Sequence, residues 1–371
     1  MSKRQVSLVG KRELPVTSDS RRLVWSPHRL DLGAALRPNQ SNAVLPRSCK
    51  MTIRRNMNSL TDTERDNFIN ALLELKRTGT YDGYIHQHHL MMVPTVYPSD
   101  PQHPDYRNGA HQGPAFLPWH RRFLMQVEED LQALDRNLFI PYWDWAADSS
   151  NPKGAQVWTD KWMGGDGDPL DHNRVQTGPF AYAKGSWDLP PIPEYGFNEP
   201  GLRREFEKEV TSLPSQADVD KTMKQQFYDM PPFSASPFNQ GFRNKLEGWI
   251  TQMGDSSVTT AGSQMHNRVH LWISGHMYHM VSPADPVFFL HHCFIDKLWA
   301  EWQAQKKLDE PQWEPHYAPI NGGPPGHNYN DQLRPWTTTV REVMDIQKLG
   351  YAYDPAPNLQ PSPAKSPFAT L

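Results

Sequence analysis

The stretch "DPVFFLHHCFIDKLWAEWQAQ", residues 285–305, is the strongest helix signal in the chain and carries two adjacent histidines inside an apolar run. Asp285 is predicted to cap this helix, and Pro286 suits its first position, because proline there loses no helical hydrogen bond. Neighbouring helical positions do not share a face, so we expect His291 to turn away from His292. The sequence therefore predicts a long helix that presents His292 to its neighbours.

A second pair of histidines lies just before this helix, in "SQMHNRVHLW" at residues 263–272. His266 and His270 are four residues apart, and such positions face the same way on a helix, about 5–6 Å apart at Cβ. Both rings are thus able to bind one ion. A third ligand must come from another helix, and His292 is well placed to supply it.

Three more histidines in the first half of the chain have a similar distribution. His88 lies on a predicted helix at residues 81–92, His111 in the following loop, and His120 in the first turn of a helix opened by Pro118. The two groups of three each leave an open coordination position. One pair of histidines is easily a packing feature, but two such triads argue against coincidence.

Imidazole-only ligand sets favour particular metals. A first-row metal needs three or four neutral ring nitrogens at about 2 Å. The absence of an acidic residue among the candidate ligands argues against magnesium, calcium and a carboxylate-bridged di-iron centre. We therefore expect copper, with zinc as the second choice. Two neighbouring copper ions with vacant positions would bind O2 and oxidise an organic substrate.

The rest of the chain reads as helices wrapped in long loops. Thr61 and Glu64 form a predicted capping box, and Gly79 ends that helix. Shorter helices are predicted near residues 202–210, 219–228 and 242–250, and a strand is predicted at "GYAYD", residues 350–354. Two alternating stretches within residues 1–50 suggest a small hairpin. We see no linker and expect one main domain.

Composition excludes several functional classes. The 371 residues carry a net charge of -3, which gives no reason to expect nucleic acid or an anionic membrane as a partner. The only cysteines, Cys49 and Cys293, suit free thiols in a reducing compartment. The first residues lack an apolar signal segment, and no run is long enough to span a membrane. We expect a cytoplasmic protein, and export together with a partner stays open.

Six segments of the chain resemble motifs of one enzyme family: the copper-binding motifs and, in the last segment, a paired-tyrosine element that closes the core domain. They are "TYDGYIHQHH", "GAHQGPAFLPWHRRFL", "FRNKLEGW", "MHNRVHLWISGHM", "SPADPVFFLHHCFIDKLWAEWQ" and "LGYAYD". Together they resemble tyrosinases, the type 3 copper phenol oxidases, and most of all the bacterial branch, which includes o-aminophenol oxidases. The resemblance implies a mainly α fold, with a four-helix bundle core that holds a dicopper centre, surrounded by long loops and a few short strands.

The same resemblance assigns ligands to two copper ions, with O2 as co-substrate. The first copper site falls on His88, His111 and His120. The second falls on His266, His270 and His292. Both sets agree with the triads inferred from spacing.

Two further residues match family positions that activate a water molecule. Glu247 resembles the residue that holds a water near the second copper, and Asn267 resembles its partner. A phenol has a pKa near 10, so it must lose a proton before it binds copper as phenolate, and such a water could accept that proton. The alternatives are a salt bridge or a surface charge for Glu247, and a hydrogen bond to a backbone carbonyl for Asn267.

These observations predict a dicopper oxidase that uses O2 to ortho-hydroxylate monophenols and to oxidise o-diphenols to o-quinones. The expected partners are a small phenolic or aminophenolic substrate and a copper-loading partner protein. The expected organisation is an N-terminal extension packed on the core (residues 1–50), a tyrosinase-like copper domain (51–354) and a C-terminal tail (355–371). Gly109 stands where many relatives have a cysteine linked to histidine, so no such thioether is expected.

Several alternatives stay open at this point. An o-aminophenol or catechol oxidase with little monophenolase activity is the first, a haemocyanin-type dioxygen-binding protein a distant second, and a zinc hydrolase or a non-catalytic histidine-rich protein are others. Asp296 is expected to orient the site or to pair with Arg121, Arg122 or Arg268, and Cys293 to be a packing residue. His276 and His279 are interpreted as surface loop residues. Five scattered histidines are interpreted as packed or solvated: His28, His103, His172, His316 and His327.

Overall fold

The computed structural model describes residues 51–92, 109–235, 239–249 and 264–354. The predicted hairpin, Cys49, His28, His103 and both predicted flanking segments lie outside these residues, so the domain boundaries stay predictions. The described α-helices are α1 (Asp62–Arg77), α2 (Thr80–Met92), α3 (Phe116–Leu134), α4 (Gln216–Met223), α5 (Phe242–Glu247), α6 (Met265–Ile273) and α7 (Val287–Asp309). The described strands are β1 (Thr52–Arg54), β2 (Gly167–Asp168), β3 (Arg174–Val175) and β4 (Tyr351–Tyr353). The mainly α prediction is confirmed.

Four of these helices, α2, α3, α6 and α7, surround the histidines. Both α3 and α6 pack against α7. Aromatic ring contacts join α2 to α3 and α7. The ring centroid of Tyr84 lies 6.0 Å from that of Phe123 in α3, and the ring centroid of Tyr81 lies 5.7 Å from that of Phe289 in α7. The predicted helical core is therefore present, and short 3-10 turns and loops connect its parts.

Local signals predicted several helix ends well. The Thr61–Glu64 capping box begins α1, and Gly79 follows its C-terminus with φ +78° in open space. Pro118 lies inside the first turn of α3, which begins two residues earlier than predicted, at Phe116. A proline is tolerated in the first turn because no intrahelical acceptor exists there for its missing N–H.

Other predictions about elements were wrong or too long. Residues 202–210 form turns and an isolated bridge rather than a helix, and Glu207 has φ +67°. The helix predicted at residues 219–228 is α4, which ends at Met223. The helix predicted at residues 242–250 ends at Glu247, because Gly248 adopts φ +105°.

The predicted strand near the C-terminus pairs with residues at the start of the described chain. β1 and β4 are parallel, with Thr52 opposite Tyr351. This pairing places Arg54 of β1 3.3 Å from the carboxylate of Asp296 in α7. The hydroxyls of Tyr351 and Tyr353 donate to the same carboxylate at 2.7 and 2.6 Å. The small sheet therefore fastens both ends of the described chain to α7.

Asp296 has one of its three expected arginine partners. Arg121 donates to it at 2.6 Å, whereas Arg122 lies 3.7 Å from Glu129 and Arg268 donates to the Ser212 carbonyl. Burial acts to raise the pKa of Asp296, but its arginine and tyrosine partners outweigh burial and lower the pKa below its usual value. Asp296 is thus an ionised anchor of the core.

Asp285 caps α7 only in part. Its Oδ1 accepts from the Val287 N–H at 3.2 Å, and α7 begins one residue later than predicted. Both carboxylate oxygens also pair with Arg204, at 2.6 and 2.8 Å, in a fully buried bidentate contact.

Cys293 is a packing residue as predicted, since its thiol is buried and donates to the Ile140 carbonyl. Among the described helices, none combines the length and apolar character needed to cross a membrane.

Candidate metal centre

The first histidine group joins two helices and the turn between them. One ring nitrogen each from His88, His111 and His120 lies within 4.8 Å of the other two, and all three residues are buried. Nδ1 of His88 lies 2.9 Å from the Met280 carbonyl, and Nδ1 of His120 lies 2.8 Å from the Phe116 carbonyl. A carbonyl only accepts, so each Nδ1 carries the proton and Nε2 presents its lone pair. Neither Nε2 has a hydrogen-bond partner among the described residues.

The second group is built from α6 and α7. Nε2 of His266 and Nε2 of His270 each lie 3.3 Å from Nε2 of His292. Nitrogens bound at about 2 Å to one tetrahedral ion would be about 3.3 Å apart, so this spacing fits a shared metal. Nδ1 of His270 lies 2.7 Å from the Met277 carbonyl, which again leaves Nε2 for the ion.

The two groups face each other across a narrow gap. The rings of His120 and His292, one from each group, are stacked at 4.3 Å and are 12° from parallel. Two phenylalanines contact rings of both groups. Phe116 lies 4.9 Å from His120 and 4.8 Å from His266, and Phe288 lies 4.0 Å from His292 and 6.3 Å from His120. Apolar rings therefore fix the separation of the groups.

Burial keeps these imidazoles neutral, as metal binding requires. It lowers the pKa of His88 to about 3 and that of His270 to about 4, although a hydrogen bond to a carbonyl opposes the shift in each. The other members have pKa values well below the usual range, because burial is reinforced by neighbouring imidazoles: His111, His120, His266 and His292.

His291 does not turn away from the second group, contrary to the prediction. One of its ring nitrogens lies within 4.8 Å of the ligand atoms of His266, His270 and His292. Its ring is stacked on His266 at 5.1 Å and meets His270 edge-on at 5.0 Å. Adjacent helical residues direct their Cβ atoms differently, but the side chains of His291 and His292 are long enough for both imidazole rings to reach α6.

The prediction that His276 is a surface residue was also wrong. Its side chain is buried, and its Nδ1 accepts from the Arg203 N–H at 3.0 Å. His279 is partly buried and stacked on Tyr195 at 4.5 Å. Of the scattered histidines that the structure describes, His316 and His327 are buried and His172 is exposed, as the packed-or-solvated interpretation allows.

Glu247 ends α5 and is fully buried between two partners. Its Oε2 accepts from Arg243 at 2.8 Å, and its Oε1 accepts from the Gln112 N–H at 2.6 Å. Arg243 also donates to Asp229 at 2.7 Å. Burial raises the pKa of Glu247 above its usual value, although Arg243 and the hydrogen bonds act to lower it. The salt bridge expected as an alternative therefore exists, and the other carboxylate oxygen contacts the main chain of Gln112, the residue that follows His111.

Asn267 lies against a candidate ligand instead of a backbone carbonyl. Its Oδ1 is 3.0 Å from Nδ1 of His266, and the Glu247 carbonyl is 3.3 Å from the same nitrogen. Glu247 and Asn267 are thus neighbours on the outer side of the second group. Sequence patterns do not identify such outer contacts, because every residue has a carbonyl and only the fold decides which one faces an imidazole.

The chain was also compared with known proteins. Residues 78–305, more than half of the chain, match the family model "Common central domain of tyrosinase". This chain belongs to the tyrosinase family. The tyrosinase of Streptomyces antibioticus is 40% identical over 307 residues, which cover 82% of this chain and 100% of that protein. Grixazone synthase of Streptomyces griseus is 36% identical over 324 residues, with 81% and 99% covered.

A solved structure shows the same fold. A single-residue mutant of the polyphenol oxidase of Thermothelomyces thermophila aligns with a TM-score of 0.58 at 22% identity, covering 82% of this chain and 89% of that one. As a member of the tyrosinase family, the chain is a copper oxidoreductase of the type 3 class, with O2 as co-substrate. The two histidine groups fit its dicopper centre, because each offers neutral imidazoles and, among the described residues, neither contains a carboxylate.

Proposed function

We propose that this tyrosinase-family enzyme ortho-hydroxylates monophenols and oxidises o-diphenols to o-quinones. The proposed copper ligands are His88, His111 and His120 for one ion and His266, His270 and His292 for the other. The observation that carries the proposal is the approach of two groups of neutral imidazoles, with His120 stacked on His292 at 4.3 Å. When bound, the copper ions supply the redox chemistry that activates O2.

Side chains of the protein would remove the hydroxyl proton of the substrate. A monophenol has a pKa near 10 and must lose its proton before it binds as phenolate. We propose that Glu247 accepts this proton through a water held together with Asn267. Support comes from position, since the Glu247 carbonyl and the Asn267 side chain both contact His266. Asn267 also holds the Nδ1 proton of His266, which leaves Nε2 for the metal.

The proposal is tested with copper-loaded protein, tyramine and catechol. Quinone absorbance and O2 consumption should rise with both substrates, and His270→Ala should abolish both signals together with bound copper. An enzyme that oxidises catechol but leaves tyramine untouched would contradict the monophenolase part. Reversible O2 binding without any phenol turnover would instead indicate a haemocyanin-type protein.

A second candidate is an o-aminophenol or catechol oxidase with little monophenolase activity. The 36% identity to grixazone synthase over most of both chains favours including it. A panel with o-aminophenol, catechol and tyramine separates the two candidates by their relative kcat/KM values. We also propose a copper-loading partner protein. Purified chain that reaches two copper ions per molecule with copper salt alone would rule out a requirement for that partner.

A further inference from the structure

The second histidine group contains one imidazole more than the first. His291 is fully buried on α7, and both of its ring nitrogens lack a hydrogen-bond partner among the described residues. The His266 carbonyl lies beside the ring but outside hydrogen-bonding geometry. A buried polar group without a partner is rare in folded proteins and indicates a function or a missing ligand. The proposed copper site uses only the other three histidines of this group, so it assigns no role to His291.

The position of His291 is suitable for metal binding. One ligand atom from each of its four histidines lies within 4.8 Å of the other three. The Nε2 atoms of His266 and His270 each lie 3.3 Å from Nε2 of His292. His291 lies against both α6 histidines, so a side-chain rotation of modest size would bring a fourth nitrogen to the same ion.

The number of ligands distinguishes two metals at this site. Zinc has no redox chemistry and, in closed sites, binds four ligands in a tetrahedron. A copper ion that works with O2 needs an open position instead. Three imidazoles leave that position open, and a fourth would close it.

We propose that the second group binds a single zinc ion through His266, His270, His291 and His292, with His291 closing the coordination sphere. The inference rests on the proposed function for three of these four ligands. Copper(II) binds nitrogen ligands more tightly than zinc does, so copper displaces the zinc at equilibrium. Zinc bound in this way delays copper loading because all four ligands must first be released.

The first test measures zinc affinity in metal-free protein by competition with a chromophoric chelator. His291→Phe keeps a flat ring between His266 and His270 but removes the nitrogens. We expect it to weaken zinc binding at least about tenfold, while the variant still binds two copper ions and oxidises catechol. His276→Phe is the matched control, since it alters a buried histidine outside both groups, and should keep wild-type zinc affinity.

Three results would overturn the inference: unchanged zinc affinity in His291→Phe, loss of its second copper ion, or an equal loss of zinc affinity in His276→Phe. The first leaves the proposed oxidase function intact, whereas failure of wild-type protein to bind copper at the six proposed ligands would reject that function itself.

The second test needs no variant. X-ray absorption of wild-type protein with less than one equivalent of zinc should show four imidazoles around the metal. A first shell of three imidazoles and an oxygen would show that His291 is not a ligand. Zinc-loaded wild-type protein should also take up copper more slowly than zinc-loaded His291→Phe, and equal rates would contradict the closed site.

Discussion

For four of the candidate ligands, the hydrogen bond at Nδ1 decides which ring nitrogen faces the metal. His88, His120 and His270 donate this proton to backbone carbonyls, and His266 contacts the side chain of Asn267. A ligand fixed in one tautomer loses no free energy to reorientation when the metal binds. Three of these four contacts use main-chain carbonyls, which a side-chain substitution does not remove, whereas replacing Asn267 removes the fourth acceptor.

Replacing Asn267 should therefore weaken one copper site selectively. In Asn267→Ala the Nδ1 proton of His266 loses its side-chain acceptor, and we expect affinity for the second copper ion to fall roughly 10–100-fold. Chelator competition on the variant measures this loss. Arg268→Ala serves as the control. Arg268 lies on the same helix and donates a hydrogen bond to the Ser212 carbonyl. Unchanged copper affinity in Asn267→Ala would show that the Glu247 carbonyl suffices.

Replacing the Glu247 carboxylate should separate the two proposed reactions, monophenol hydroxylation and diphenol oxidation. Glu247→Gln retains an oxygen for the Gln112 N–H but loses the proposed base. We expect kcat/KM for tyramine to fall about 100-fold or more, with kcat/KM for catechol changed much less, because the role proposed for Glu247 is to deprotonate the monophenol. Steady-state rates with both substrates provide the measurement. An equal decrease for both would assign Glu247 a purely structural role.

At the scale of elements, the junction between α5 and α6 positions the second group. Gly248 follows Glu247 with φ +105°, and the Gln264 N–H donates to the Gly248 carbonyl at 3.1 Å, just before α6 begins. A Cβ at Gly248 would lie 2.0 Å from the Gln264 carbonyl oxygen and 3.0 Å from Cβ of Asn267. The absence of a side chain here lets α5 end directly against α6.

Gly248→Ala should consequently destabilise both the fold and the second copper site. We expect a loss of about 2–4 kcal/mol in the free energy of unfolding, from the backbone clash and the positive φ together. Gly196→Ala is the matched control, because Gly196 has φ +78° and an added methyl group there would meet nothing within 4 Å, so only about 1–2 kcal/mol of strain is expected. Denaturant unfolding compares them, and equal losses would refute the importance of the contact.

Local signals in the sequence predicted elements better than long-range pairing. The capping box of α1 and the histidine spacing on α6 were predictable because the interacting residues lie within one turn. A glutamate is usually exposed, but Glu128 of α3 is buried, and Arg54, 74 residues earlier in the chain, donates to it at 2.8 Å. The convergence of His291 likewise depends on how α7 packs against α6, which no local pattern specifies.

At the scale of the whole molecule, a large number of neutral histidines is buried in one core. The pKa is lowered by burial in eight of them: His88, His111, His120, His266, His270, His276, His291 and His292. In the unfolded chain each would titrate near 6.5. The unfolded state thus binds more protons than the folded state once the pH falls below that value.

The metal-free protein should therefore lose stability steeply in mild acid. Stability is fully present above the unfolded pKa of about 6.5 and declines as pH falls towards the folded values, by at most about 1.4 kcal/mol per pH unit for each histidine. Calorimetry from about pH 7 to about pH 5 should show a marked decrease in Tm. Copper-loaded protein should have a higher Tm at each pH, since ligand binding stabilises the folded state. A pH-independent Tm without metal would contradict the burial of neutral rings.

The carbonyl of Met280 holds His88, yet the Met280 side chain is 38% exposed. The orienting contact belongs to the main chain and the outer surface to the side chain, so the two are independently adjustable. A combinatorial library at this position would sample different charges and shapes on the outside of the catalytic domain while leaving the imidazole in register. Position 280 therefore offers a place to attach a label or to change the charge of the surface close to the candidate metal centre, while the main-chain contact to His88 is retained.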